Sequence, residues 1–175
     1  MEGASQDQRY AGAAAEYGPA LERLARAYEA DPAERHDLLQ DIHFALWRSL
    51  ALFDGRCSMR TWVYRVAHNT AASHAMQRRR ARTAKLASLE ELADTPDGDN
   101  PEHTAGEHQM LERLMGMIRA LKAPDAQVML LYLEDLDAAA IGEITGLKAG
   151  AVATKIHRIK TILAKRFREE GGQHG

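Results

Sequence analysis

One cysteine, Cys57, stands in 175 residues, which excludes an internal disulfide framework and any zinc site built on several cysteines. Long apolar runs are missing too: the longest, Val128 to Leu133, has six residues, against the ~20 that a membrane helix requires. The opening residues, Met1 to Gln8, lack the basic start, apolar stretch and cleavage site of a secretory signal. Gly-rich phosphate loops and a His-Glu-x-x-His zinc pair are also lacking. The eight histidines are scattered: His36 and His43 lie seven apart, and His103 and His108 sit away from both. No pairing of Asp and Glu implies acid–base catalysis. These absences predict a protein that is not an enzyme, with no cofactor, no metal and no membrane insertion, in a reducing, cytoplasmic compartment.

What is present is ordinary in amount and unusual in arrangement. Hydrophobic residues make 45% and charged residues 27%, as in a soluble globular protein. The formal net charge is −2, but the signs are segregated. Five of the eight residues from Arg78 to Lys85 are cationic and none is anionic. Leu86 to Glu107 carries seven anionic residues and no cation, and Lys148 to Arg168 seven cations and no anion. A single basic run is as readily a solvated helix face as a phosphate site; two, each ending an amphipathic helix, favour nucleic acid.

Periodicity predicts an all-α chain. Residues 1–18, rich in Ala and Gly, read as a loosely ordered lead-in. From 19 to 85 apolar residues recur at helical spacing: Leu38, Ile42, Ala45, Leu46 and Phe53 on one face, then Val63, Val66, Ala67 and Thr70 on another. Phe53 to Ser58 interrupts them with turn chemistry. Residues 86–107 contain Thr95-Pro96-Asp97-Gly98-Asp99-Asn100-Pro101 and read as a flexible acidic linker. Helical spacing resumes over 108–168, leaving 169–175 as a tail. Two small helical domains on a tether are expected.

The second domain has helix-turn-helix grammar. A short helix with Ile141 and Ile144 inward ends at Gly146, where positive φ is cheap, and Leu147 plugs the turn. Ala140 is small where two helices approach. On the following helix Val152, Ile156, Ile159 and Leu163 form an apolar stripe, with Thr154, Arg158, Thr161 and Lys165 opposite and Lys155 on a flank. Such a helix suits the major groove, and Lys148, Ala149, Ala151, Thr154, Lys155, Arg158 and Lys165 are the candidate contacts.

The first domain carries Asp37-Leu-Leu-Gln40-Asp41, then Leu46-Trp47-Arg48, then Ser58-Met-Arg60-Thr-Trp62-Val-Tyr64-Arg65-Val-Ala67-His-Asn69 and Arg78-Arg79-Arg80. This resembles region two of bacterial extracytoplasmic-function (ECF) sigma factors, and 121–167 resembles region four of the same family. Both modules, in order and with a linker between, cover nearly all of the chain outside its lead-in. The resemblance implies an acidic and aromatic surface that docks on the clamp helices of the largest subunit of core RNA polymerase. Asp37, Gln40, Asp41, Phe44, Trp47 and Arg48 would form it, and region four would meet the flap of the second subunit. It further implies promoter DNA as a partner: double-stranded at the minus-thirty-five element, melted at the minus-ten element. The minus-ten candidates are Arg56, Ser58, Arg60, Tyr64, Arg65, Asn69, Met76, Arg78, Arg79 and Arg80, with the Asn69 amide suited to a base edge. Trp62 reads as core and Tyr64 as core or contact. An anti-sigma factor is a further partner of many relatives.

Departures from the family pattern stand at Ser73, where an acid is common, at Met76, where an arginine is common, and at Ala153, often basic or polar. Promoter sequence therefore does not carry over from relatives. The acidic linker is either a mimic of nucleic acid in basic channels or simply a soluble tether. Cys57 is either a small loop residue or an oxidation-sensitive thiol. Two other functions remain open at this point. One is a stand-alone helix-turn-helix regulator, which leaves the surface of residues 36–48 unexplained; the other is a sigma mimic acting as an interaction protein.

Overall fold

The computed structural model describes residues 3–88 and 106–171. Among them are seven helices and no strand: α1 (Gln6–Tyr28), α2 (Pro32–Leu50), α3 (Met59–Ser88), α4 (Glu107–Arg119), α5 (Ala123–Leu133), α6 (Ala138–Thr145) and α7 (Ala149–Gly171). The all-α expectation holds. Most of the acidic linker, residues 89–105, and the end of the tail, 172–175, lie outside the described residues.

The lead-in is not loosely ordered: it is helical from Gln6. A capping box starts α1, with the Ser5 hydroxyl accepting from the Gln8 N–H and the Gln8 side chain accepting from the Ser5 N–H. The alanine run is the best of helix formers, and Tyr10, Ala13 and Tyr17 find a core to pack against. The lead-in's Gly12 and Gly18, and Pro19 after it, do not interrupt α1, because burial outweighs local propensity.

Asp31 begins α2, its carboxylate accepting from the Glu34 N–H, with Pro32 just inside. The fully buried stripe Leu38, Ile42, Leu46 and Leu50 faces Val63, Ala67 and Ala71 of α3 and Leu21, Leu24 and Ala25 of α1. These three helices form the first bundle. In the second module α6 and α7 close over α5, with Val128, Leu131, Ile141, Ile144 and Val152 sharing one core. Met117 and Ile118 of α4 share another with Ile159 and Leu163.

The modules are packed together, which two domains on a tether did not anticipate. Tyr17, Ala20 and Tyr64 of the first bundle belong to the same apolar cluster as Val128, Leu136 and Ile141. Ala27 and Tyr28 join Met117, Met129 and Leu130 in the other. A cavity of about 620 Å³ lies between the modules, lined by Leu24, Tyr64, His68, Leu111, Leu130 and Leu133 among others.

His68 borders that cavity and is almost fully buried. Its Nδ1 shares a hydrogen bond with the Tyr28 hydroxyl at 3.1 Å, and the two rings meet edge to face. Burial pushes its pKa down to about 3, so it folds as the neutral imidazole. The unfolded chain protonates such a group below about pH 6.5 while the folded chain does not, so stability is full above that pH and falls as pH drops toward 3. Urea unfolding at pH 7, 6 and 5 is expected to show a loss of up to ~1.4 kcal/mol per pH unit from this one group. His43, also lowered by burial, adds in the same direction. In His68→Gln the slope becomes shallower; an unchanged slope would mean that His68 is not the buried base.

Candidate partner- and nucleic-acid-binding surfaces

Residues 37, 41, 44 and 48 are three or four apart, so α2 presents them on one face, away from its buried stripe. Asp37, Gln40, Asp41, Phe44, Trp47 and Arg48 are all exposed, Phe44 by 59%. Phe44 and Trp47 stack with ring centroids 6.4 Å apart, and the Arg48 guanidinium stands 5.7 Å over the Phe44 ring. The Trp47 indole N–H donates to the Asp7 carboxylate at 2.8 Å, so the start of α1 holds this ring in place. Asp41 lies 3.8 Å from His74 of α3. The arrangement is a rigid apolar pair bordered by acids. It suits a protein partner with basic and apolar groups, and no lone contact within the chain accounts for it.

The second surface is the loop before α3 and the exposed side of that helix. Gly55, at φ +77°, makes the turn, and Asp54 accepts from the Arg56 N–H and pairs with its guanidinium at 2.8 Å. The Ser58 hydroxyl accepts from the Thr61 N–H, so it is used in starting α3. Arg60, Asn69, Met76, Arg79 and Arg80 are exposed. Arg78 is not: it pairs with Glu29 at 2.5 Å and Glu34 at 3.5 Å, holding α3 to the α1–α2 turn. A lone basic run in sequence cannot reveal which member is spent on acids brought close by folding. Tyr64 is buried at 5% exposure beneath the second module, and Arg65 is half-buried, donating to the Glu143 carbonyl at 2.6 Å. Both candidates are therefore covered in this arrangement. Trp62 is largely core, as expected, packed on Phe53 and donating to Ser49.

The third surface is α6–turn–α7. The Asp137 carboxylate caps α6 by accepting from the Ala140 N–H, and Gly146 ends it at φ +80°. Gly142 is also a tight approach: a Cβ there would lie 2.6 Å from the Leu147 carbonyl oxygen. Lys148, just before α7, and Ala149, Ala151, Thr154, Arg158 and Lys165 along it are exposed. Lys155 and Arg158 share one partner unforeseen from the sequence, Asp125 of α5, at 2.5 and 3.2 Å. Thirty residues separate Asp125 from Lys155, so no local spacing signals the contact. Among the described residues no group of His, Cys, Asp and Glu could hold a metal ion.

Two substitutions test this geometry. Gly142→Ala presses a methyl against backbone that cannot move away and should destabilise the second module by roughly 1–3 kcal/mol, measured by thermal unfolding. Asp125→Asn frees two cations on α7 and should raise affinity for a random-sequence DNA duplex several-fold at low salt, with a steeper salt dependence. Unchanged binding would show that Asp125 does not restrain the basic face.

The Sigma-70 region 2 family matches residues 14–81, and the Sigma-70, region 4 family matches residues 111–163. The chain is 30% identical over 130 residues to the RNA polymerase sigma factor YlaC of Bacillus subtilis (strain 168), covering 74% of this chain and 75% of that protein. Against the ECF RNA polymerase sigma factor SigW of the same organism it is 28% identical over 145 residues, covering 78% and 76%. Two solved structures share the fold. CnrH in complex with the cytosolic domain of CnrY superposes with a TM-score of 0.66 at 21% identity, over 91% of this chain and 88% of that one. The sigma factor RpoE in complex with the anti-sigma factor NepR from Bartonella quintana gives 0.62 at 16%, over 86% and 91%. With region two formed by α1–α3 and region four by α4–α7, the chain belongs to the ECF RNA polymerase sigma factors.

Proposed function

We propose that this chain binds core RNA polymerase and directs it to promoters through two DNA elements, as an initiation factor and not an enzyme. The observation that carries this reading is the exposed, stacked Phe44–Trp47 pair among Asp37, Gln40, Asp41 and Arg48. A stand-alone regulator has no use for such a surface; docking on the clamp helices of the polymerase explains it. Arg56, Arg60, Asn69, Met76, Arg79 and Arg80 then face the melted minus-ten strand, cations on phosphates and the Asn69 amide on a base edge. Thr154, Arg158 and neighbouring α7 residues read the minus-thirty-five element in the major groove. Each module alone binds weakly, and the tether makes the second contact intramolecular. Polymerase places this work in the cytoplasm; among the described residues no helix is long and apolar enough to cross a membrane. An anti-sigma factor is a further partner in this reading, since the similar sigma factor RpoE is held in complex with the anti-sigma factor NepR.

The test is transcription from a pool of genomic promoter fragments by core polymerase with the purified chain added. Defined transcripts are expected, and Asp37→Arg/Asp41→Arg should reduce them at least ~30-fold, the scale for charge reversal at a docking interface. Tight duplex binding by the chain alone, with no transcripts, would instead establish an ordinary regulator.

A further inference from the structure

A second cavity, of about 330 Å³, lies where α1, α3, α4 and α5 meet, a volume within the range of small-molecule sites. Four arginines line it, Arg78, Arg79 and Arg82 of α3 and Arg119 of α4, against one carboxylate, Glu29. Glu29 is already taken by Arg78, which also pairs with Glu34. Arg119 keeps only a long pair with Glu112 at 3.7 Å, while another of its nitrogens donates to the Arg26 carbonyl at 3.2 Å. Among the described residues Arg79 and Arg82 pair with no carboxylate; Arg79 donates to the Arg119 carbonyl at 3.4 Å instead.

Folding thus gathers like charges. Arg78, Arg79 and Arg82 lie three and four apart on α3, a spacing that lowers stability when the signs agree. A solvated helix face explains those three. It does not explain Arg119, which a different helix carries into the same concave wall. Cations that converge in a cleft with too few carboxylates to meet them focus a positive field on whatever enters, and guanidinium forks match phosphate oxygens. The rest of the wall is apolar: Tyr28, Met76, Ile118 and Leu121 stand beside the arginines, and alanines of α1, α3 and α5 leave the room between them. The Tyr28 ring is fixed by its hydrogen bond with His68. One side of the cleft suits a flat ring and the other suits more than one negative charge.

We propose that this cleft binds a nucleoside polyphosphate, its phosphates on Arg79, Arg82 and Arg119 and its base against Tyr28, Met76 and Leu121. Apart from the charged groups and the Tyr28 hydroxyl, which His68 holds, the wall offers a base edge no polar side chain, so the purines are not told apart. Resting on the sigma reading above, the site has a regulatory consequence. Arg79 and Met76 belong to the minus-ten face as well, so a bound nucleotide and the melted strand compete for them.

The experiment is titration calorimetry of the full chain with ATP, GTP and inorganic pyrophosphate. The two triphosphates are expected to bind alike, and pyrophosphate, which has no ring, about tenfold more weakly or worse. Arg82 is exposed and pairs with no carboxylate among the described residues, so Arg82→Ala should leave thermal unfolding unchanged and weaken all three about tenfold, the scale of a lost charge-assisted hydrogen bond. Arg119→Ala should do the same from the opposite wall. Ala75→Leu fills the ring side and should bring GTP down to the level of pyrophosphate. GTP at about ten times its Kd should weaken binding of a single-stranded minus-ten oligonucleotide about tenfold. Nucleotide binding that survives both arginine variants overturns the site, and pyrophosphate binding as tight as GTP overturns the nucleotide class. A chain that binds the oligonucleotide but neither triphosphate assigns the arginines to the DNA strand and also overturns the proposal. Absence of core-dependent transcription overturns the sigma reading instead, and leaves calorimetry on the free chain as the separate measure of the site.

Discussion

Helix α3 must satisfy two cores at once, and the rest of the molecule follows from how it does so. Val63, Ala67 and Ala71 close the bundle with α1 and α2. One step around the helix, Tyr64 enters the cluster it shares with α5 and α6, and His68 borders the cavity that separates the modules. A helix surface divided in this way leaves an exposed side that carries Asn69, Met76 and Arg80. His68 is buried as a neutral ring against Tyr28, which makes the junction sensitive to acid as well as to tertiary contacts.

Charge in this protein is organised by pairing rather than by sum. The net charge of −2 conceals two basic runs, yet the runs are not uniformly available. Arg78 is spent on Glu29 and Glu34, and Lys155 and Arg158 lean on Asp125. Cations restrained by internal carboxylates bind DNA less tightly without specificity than their number implies, because each contact must first be exchanged. For a protein that searches for one promoter among many sequences, weak indiscriminate binding is an advantage.

The two aromatic features of the first bundle separate in the same way. Phe44 and Trp47 stay outside, stacked and braced by Asp7, whereas Trp62 packs on Phe53 and Tyr64 goes under region four. All four sit at helical spacing from apolar neighbours, so periodicity alone assigns none of them. The acids around Phe44 and Trp47 mark those two as surface.

The sequence by itself determined the helices, the two modules and the three candidate surfaces. Local rules suffice there: apolar residues three and four apart, Asp137 and Gly146 bounding the short helix α6, and the motifs around Asp37, Trp47 and Asn69. It misread residues 6–18, where an Ala- and Gly-rich composition suggested looseness and a core supplied by α2 and α3 holds a helix. Only the tertiary structure decided which candidates are free. Glu143 meets Thr61 across 82 residues, Arg23 meets Glu134 across 111, and Asp125 meets Lys155 across 30. Contacts at such separations leave no periodic trace in the chain, because they depend on how finished helices pack and not on which residues are neighbours.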